Sequence, residues 1–473
     1  MSKRTKIVAT IGPSCSEGEV LKSMIKEGVN VFRVNFSHGS HQDHIDAIKK
    51  IRLLDKELGT HSAILADLQG PKIRIGDMPK EGLLLENNQE FILTTLEDHN
   101  FSSAAQIFID RIPKDVKVGE KVLLDDGKIH LEVLETNLKD TVKTKVVAGG
   151  LLFSKKGLNL PDTNINISSL TKKDKADLVI ALEHEVDWIG FSFVRSAREV
   201  IELRHLINSN NGNAKIIAKI EKPEAVQAID EIIQNCDGLM VARGDLGIEV
   251  PCEQVPLIQK KLVLKAKKNR IPIIIATQMM ESMMNSLTPS RAEVNDVANS
   301  IIDGADAVML SGETSVGNFP VEVIQQISKI IESVEYSSLI SVPENPPQIQ
   351  TDRYITKSIC YHASHMADEI NAKAIMTLTN SGYTAFQISA WRPHSNILVF
   401  TSNRRILNRL SLLWGVKAFY YDKFSSTDST IEEISDIASS KGYISKGDFT
   451  ISLAAMPIKA KGMVNTLRVN QVS

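Results

Sequence analysis

The chain has 473 residues, 42% hydrophobic and 24% charged, with a formal net charge of −2. Its length suits roughly two to four domains, and the near-neutral balance gives no electrostatic case for nucleic acid or a membrane surface as a partner. The cysteines Cys15, Cys236, Cys252 and Cys360 form no CxxC pair, which argues against a zinc ribbon or disulfide framework and for a reducing, cytoplasmic setting.

The opening MSKRTKIVATIG runs from basic residues straight into a strand and lacks the apolar segment and cleavage site of a signal peptide. No stretch reaches the ~18 apolar residues a membrane helix needs. Short apolar runs then recur at 5–12, 31–36, 62–68, 188–193, 215–220, 238–244, 272–278 and 307–312. Amphipathic helices predicted over 17–28, 40–59, 171–186 and 290–304 separate most of them. Ser37 or Ser40 caps the second of these helices, and Thr171 with Asp174 caps the third. Strands this continuously apolar, alternating with helices, specify an α/β fold whose parallel sheet is covered on both faces. Eight such units in about 240 residues are the size of a closed (β/α)8 TIM barrel.

The pattern breaks once. Residues 70–166 turn strand-and-turn rich, with a hairpin signal at Asp126–Gly127, and read as a small all-β lid domain inserted after the third barrel strand. The catalytic barrel is therefore discontinuous, 1–69 and 167–340. A proline-rich linker, VPENPPQIQ, opens a C-terminal α/β domain over 341–473, with strands at 374–380, 397–403, 416–422 and 449–456. In it the loop Thr379, Asn380, Ser381, Gly382, Tyr383 and Thr384 sets hydroxyls and a glycine ahead of a helix, a candidate phosphate site. Arg404, Arg405 and Arg409 follow on the next helix and suit a pocket or a subunit contact.

Chemistry collects where the barrel strands end, the working face of this fold. The second strand ends in Arg33, Asn35 and Ser37, and the third in Asp67. The fifth ends in Lys219 and Glu221, the sixth in Arg243 and Asp245, the seventh in Thr277 and Gln278, and the eighth in Ser311, Gly312 and Glu313. Glu221 and Asp245, on adjacent strands, supply two oxygen ligands for a cation such as Mg²⁺ or Mn²⁺. Lys219 shares a strand face with Glu221 and faces substrate, where its ammonium stabilises developing negative charge. Gly244 lets the backbone approach an anion closely, and Thr277 donates to a substrate carboxylate or relays a proton. Together these suit an anionic substrate that passes through an enolate. His38, His41 and His44, three apart, are expected on a solvated helix, with only His38 near the site.

The segments KIVATIGP (6–13), FRVNFSHG (32–39), GPKIRIG (70–76), KKGLNLP (155–161), IIAKIE (216–221), MVARGDLGIE (240–249), ATQMMESM (276–283) and MLSGET (309–314) occur in the order found in pyruvate kinases. The chain resembles that family over nearly its whole length. The resemblance implies transfer of phosphate from phosphoenolpyruvate to ADP, giving pyruvate and ATP, the last step of glycolysis. It implies that Lys219 stabilises the transferring phosphoryl group and the enolate oxygen, that Glu221 and Asp245 hold the metal, and that Gly244, Asp245 and Thr277 contact the substrate. Arg33 then reaches the phosphate, Arg74 and Lys156 meet the nucleotide phosphates, and Asn35, Phe36, Ser37 and His38 line the nucleotide and monovalent-cation site. A phosphorylated effector at 379–384 and a homotetramer are further implications.

One segment departs from the pattern. Family members that need K⁺ tend to read D-T-K-G-P-E-I-R-T where this chain has DLQGPKIRI, so Leu68, Gln69, Lys72 and Ile75 differ. In the K⁺-requiring form Asn35, Ser37, Asp67 and the backbone of residue 68 cage the ion. Lys72 puts an ammonium where those members have a carboxylate, and it supplies the positive charge K⁺ would bring. The expectation is an enzyme independent of K⁺. Read from residues alone, another metal-dependent enolpyruvate or 2-oxoacid barrel enzyme (a lyase or aldolase) and a non-catalytic metabolite sensor stay open.

Overall fold

In the computed structural model, strands β1 (Lys6–Thr10), β2 (Val31–Asn35), β3 (Ala63–Asp67), β4 (Trp188–Phe191), β5 (Lys215–Ile220), β6 (Gly238–Ala242), β7 (Ile273–Ala276) and β8 (Ala307–Leu310) close into a barrel. The described residues are 3–98, 100–163, 167–337, 339–340, 346–348, 353–423, 426–456 and 463–473. Each barrel strand pairs in parallel with its neighbours in chain order, and β8 returns to β1. Closure explains the run of apolar letters, since one face packs into the barrel and the other against the helices. Val8, Leu65, Trp188, Ile217, Met240 and Ile274 fill the interior, while Ile7, Ile64, Ile216 and Val241 join the outer core.

The helices start where the sequence says. Ser40 rather than Ser37 caps His41–Leu58, in a capping box with Asp43. Thr171 and Asp174 form the same reciprocal cap on Lys172–Glu183, and Asp174 Oδ1 also accepts the Gly70 amide at 3.0 Å. One buried carboxylate thus fixes both a helix start and the chain's departure into the insertion.

The insertion forms a two-stranded and a six-stranded sheet around its own core of Phe91, Val122, Leu131 and Val146. A short helix, Ile112–Asp115, qualifies the all-β expectation. Strands Lys121–Leu124 and Ile129–Thr136 pair antiparallel across Asp125, Asp126 and Gly127, all at positive φ, as the Asp-Gly hairpin requires. Most of the proline-rich linker, 342–345 and 349–350, lies outside the described residues, as does the expected end of the insertion at 164–166.

Beyond the linker, β9 (Ala374–Leu378), β10 (Asn396–Thr401), β11 (Val416–Tyr420), β12 (Phe449–Ala454) and β13 (Thr466–Gln471) make a sheet of order β11-β10-β9-β12-β13. The antiparallel edge strand β13 went unread in the sequence. It is polar and largely exposed, so it lacks the apolar run that marks a buried strand. This sheet unit docks on the barrel floor. Trp188 Nε1 donates to the Arg409 carbonyl at 3.3 Å, Lys6 Nζ to the Val416 carbonyl at 2.9 Å, and Arg392 Nη2 to the Gly304 carbonyl at 2.7 Å.

Replacing Thr171 by Ala removes one half of a reciprocal cap. It is expected to cost about 1 kcal/mol in denaturant unfolding, and an unchanged midpoint would show that Asp174 alone holds the helix start.

Candidate active site

The centre of the site is an ammonium buried among carboxylates. Lys219, near the end of β5, is 8% exposed. Its Nζ lies 3.0 Å from Glu221 Oε1, 3.1 Å from Asp67 Oδ1 and 2.7 Å from Ser192 Oγ. Burial works against its charge, but Asp67 and Glu221 outweigh burial and hold its pKa above the ordinary lysine value. Asp67 is on β3, and β4 lies between β3 and β5. The reach across is possible because β4 carries Gly190 at that level. A Cβ there would stand 2.9 Å from Asp67 Oδ1.

Arg33 on β2 holds the other oxygen of Asp67, Nε to Oδ2 at 2.6 Å, and its Nη1 donates to Thr10 Oγ1 at 3.1 Å. Burial would raise the Asp67 pKa, yet Lys219 and Arg33 keep it below the usual carboxylate range. Glu221 is different. Burial pushes it up to about 7, against the pull of Lys219 and with the repulsion of Asp245 added. Its Oε2 accepts the Phe193 amide at 2.7 Å, while Oε1 is buried without a hydrogen bond of good geometry.

Two carboxylates therefore stand at the barrel mouth, one fully buried and one, Asp245, part-exposed. Among the described residues no cluster of three His, Cys, Asp or Glu side chains suits a metal. An oxygen pair of this kind fits Mg²⁺ or Mn²⁺, which takes few protein ligands and completes its shell from water and substrate.

Asp245 lies in the helical turn Arg243–Glu249 that follows β6. The Gly244 amide donates to Thr277 Oγ1 at 2.8 Å, so the hydroxyl of Thr277 is oriented by that same turn. Thr277 has φ 72° and Gln278 φ 54°. A β-branched residue in the left-handed region is costly and persists where the surroundings enforce it. Arg243 does the enforcing, donating to the Ala276 carbonyl at 3.3 Å and the Thr277 carbonyl at 2.6 Å, and it is itself anchored on Asp296 at 2.7 Å. Glu313 faces inward structurally, accepting the amides of Met280 and Ser311 at 3.0 and 2.7 Å.

The remaining predicted residues separate into side chains that face the mouth and side chains that cannot. Lys72 Nζ lies 3.2 Å from Asp245 Oδ1 and 3.8 Å from Asp126 Oδ1, so its ammonium meets the metal-side carboxylate rather than Asp67. His38 is held below the usual histidine pKa by burial and then by Arg74, Arg33 and Lys72, which marks a convergence of cations beside it. Arg74 donates to the Lys155 carbonyl at 3.0 Å, and Lys156 pairs with Asp125 at 2.7 Å. Asn35 Oδ1 accepts the Ser37 amide at 3.1 Å.

Phe36 requires a correction. Its side chain is fully buried, with its ring 4.3 Å from that of His44, while its amide donates to the Asp67 carbonyl at 3.0 Å and its carbonyl accepts Lys173 Nζ at 2.6 Å. Leu68 is buried too, and its carbonyl already accepts Ser192 Oγ at 2.7 Å. The solvated-helix expectation also fails for His44, which is buried, and His41 Nε2 lies 2.7 Å from Asp177 Oδ1. In the C-terminal loop the Gly382 amide donates to Thr379 Oγ1 at 3.0 Å and the Tyr383 amide to Ser381 Oγ at 3.4 Å. The residue that sequence reading missed is Ser192, donor to Leu68 and acceptor from Lys219. It directly follows β4, and the strand-end rule applied to that strand points to it.

The insertion leans over this mouth. Asn159 Nδ2 donates to Glu249 Oε1 at 2.7 Å, and Lys222 Nζ meets the same oxygen at 2.7 Å.

Comparison with known proteins agrees with this geometry. Residues 2–324 match the family model described as pyruvate kinase, barrel domain, and 357–470 the model described as pyruvate kinase, alpha/beta domain. Pyruvate kinase 2 of Synechocystis is 40% identical over all of this chain and 80% of its own length. Pyruvate kinase of Agrobacterium vitis is 41% identical over 99% of this chain and 98% of its own. A crystal structure of a pyruvate kinase from Cryptosporidium parvum superimposes with a TM-score of 0.91 at 33% identity, covering 100% of this chain and 96% of that one.

A carboxyl must lose its proton to ligate a divalent cation. With Glu221 raised to about 7, protons compete below that pH and not above it. Mn²⁺ affinity, followed by electron paramagnetic resonance, should fall up to about tenfold per pH unit below about pH 7 and level off above it. A flat profile over that range would place the metal elsewhere.

Proposed function

The chain belongs to the pyruvate kinase family, and from that premise we propose how its own residues divide the work of moving a phosphoryl group from phosphoenolpyruvate to ADP. The observation that carries the reading is the charged Lys219, held between Glu221 and Asp67 beside the Glu221–Asp245 pair. The substrate's phosphate lies against Arg33 and Lys219, and its carboxylate against Gly244 and Thr277. An oxygen of the ADP β-phosphate attacks phosphorus. The bond from phosphorus to the enol oxygen breaks, and its electron pair stays on that oxygen as an enolate. Lys219 faces the oxygen where this charge grows, with no reorganisation needed at that moment. A proton then adds to the enolate carbon from the side of Thr277, relayed through water, and pyruvate results.

Glu221 and Asp245 would hold Mg²⁺ or Mn²⁺, which when bound neutralises charge shared by the phosphoryl and enolate oxygens. Arg74, Lys156, His38 and the backbone of Asn35 to Ser37 face the nucleotide phosphates. The insertion, 70–166, is the lid over the barrel, 1–69 and 167–340, and excludes the water that would otherwise intercept the phosphoryl group. The domain over 341–473 takes a phosphorylated effector at Thr379–Thr384. A homotetramer and a cytoplasmic location rest on the family resemblance. Among the described residues no helix is long and apolar enough to cross a membrane.

K⁺ independence follows from Lys72. Its ammonium sits at the mouth near Asp245 and adds the fixed positive charge that a bound K⁺ would provide. The test is pyruvate formation with Mg²⁺ in buffer stripped of K⁺. The wild type should be equally active with and without K⁺. Lys72→Glu should lose activity by about tenfold or more without K⁺ and regain it when K⁺ is added. A wild type active only with K⁺ would refute this role for Lys72.

A further inference from the structure

The insertion rests on the helical turn Arg243–Glu249, the element that carries Asp245. Lys72 Nζ lies 3.2 Å from Asp245 Oδ1, and Asn159 Nδ2 donates to Glu249 Oε1 at 2.7 Å. At the hairpin tip, a Cβ on Gly127 would stand 3.7 Å from Ile248 Cγ2. Asn159 belongs to the frame of the insertion. Leu158 and Asn159 pair with Leu124 and Leu123 of the hairpin, and the Leu158 amide donates to the Ile73 carbonyl at 2.9 Å. Its side chain therefore moves with the insertion.

The acceptor, Glu249, is committed twice. The same Oε1 meets Lys222 Nζ at 2.7 Å, and the carboxylate is 2% exposed. Lys222 directly follows Glu221, and Glu249 lies about one helical turn beyond Asp245. The Lys222–Glu249 bridge thus ties the chain beside one metal-side carboxylate to the chain beside the other. Like charge pushes Glu221 and Asp245 apart, and the bridge opposes that drift. A buried carboxylate that loses one donor is left with unmet capacity and follows the donor that remains. Without Asn159, Glu249 answers to Lys222 alone, and the turn loses that hold on the insertion. The Lys72 contact does not replace it, because a cation on Asp245 competes with the Lys72 ammonium for the same carboxylate. The Asn159 contact lies outside that competition.

We propose that Glu249 is a positioning residue that couples the seat of the insertion to the metal pair, so that the Asn159 contact raises the affinity of Glu221 and Asp245 for a divalent cation. The proposal rests on the assignment of those two carboxylates to the metal. Glu249 touches neither metal nor substrate; it acts by holding the turn that presents Asp245 at a fixed distance from the end of β5. Such outer partners orient the ligands they support. Coupling of this kind is reciprocal, so a bound cation also favours the seated insertion.

The test is Mn²⁺ binding to the full chain without substrates, followed by electron paramagnetic resonance. Asn159→Asp keeps the shape of the side chain but sets a carboxylate against Glu249. Its added negative charge would by itself tighten cation binding. The expected result has the opposite sign, a weakening of about tenfold or more. Asn159→Ala, which only deletes the donor, should weaken binding in the same direction and serves if the aspartate variant does not fold. Combining Asn159→Asp with Glu249→Gln restores one donor facing one acceptor at the original total charge, and should bring the affinity back toward wild type. Wild-type or tighter binding in the Asn159 variants, or no recovery in the swapped pair, would overturn the proposal alone. Glu221→Gln separates that failure from a failure of the metal assignment: it should abolish tight Mn²⁺ binding, and binding indifferent to it would overturn the assignment and the coupling together.

Discussion

Everything at the barrel mouth is arranged around keeping one buried ammonium charged. Taking a lysine out of water favours its neutral form, and a neutral Lys219 would have no charge to offer an enolate. Asp67 and Glu221 reverse that preference by direct contact. Each then needs its own partner, and the requirement spreads outward. Asp67 takes Arg33, Arg33 takes Thr10, Glu221 takes the Phe193 amide, and Lys219 takes Ser192. The group is fed by β1, β2, β3, β4 and β5, so it exists only once those five strands lie side by side.

Closure also explains two local oddities. Gly190 is where Asp67 passes from β3 over β4 to Lys219, and a side chain there would occupy the carboxylate's position. Thr277 pays for its left-handed backbone through Arg243, whose guanidinium ties β6 to the end of β7 and presents the Thr277 hydroxyl to Gly244. Both features serve placement of charge and donors, and neither improves packing.

The barrel was legible in the sequence because buried parallel strands write themselves as uninterrupted apolar runs, and the polar ends of those runs named Arg33, Asp67, Lys219, Glu221, Asp245 and Thr277 directly. The Asp-Gly hairpin and the Thr171 cap were legible for a similar reason, each being a local device with a fixed chemical signature. Ser192 was missed because a serine after a strand carries no signature of its own, and its role appears only when β4 and β5 are set side by side. Phe36 was read as a site residue from its position in a motif, while its side chain lies in the core; Leu68 was named for its backbone, and its buried side chain leaves that reading standing. Strand β13 is an edge that packs little beyond Leu467 on the core, and Lys72's partner, Asp245, is 173 positions away in the chain, a separation no local pattern encodes.

The most direct measurement is made on Lys219→Met, which keeps the apolar stem and removes the charge. Pyruvate formation should drop on the order of 10³-fold, while Mn²⁺ binding at Glu221 and Asp245 stays within a few-fold of wild type. A folded variant that retains near-normal turnover would contradict the central role of the buried ammonium. Loss of Mn²⁺ binding together with turnover would assign Lys219 to building the metal site rather than to stabilising the enolate.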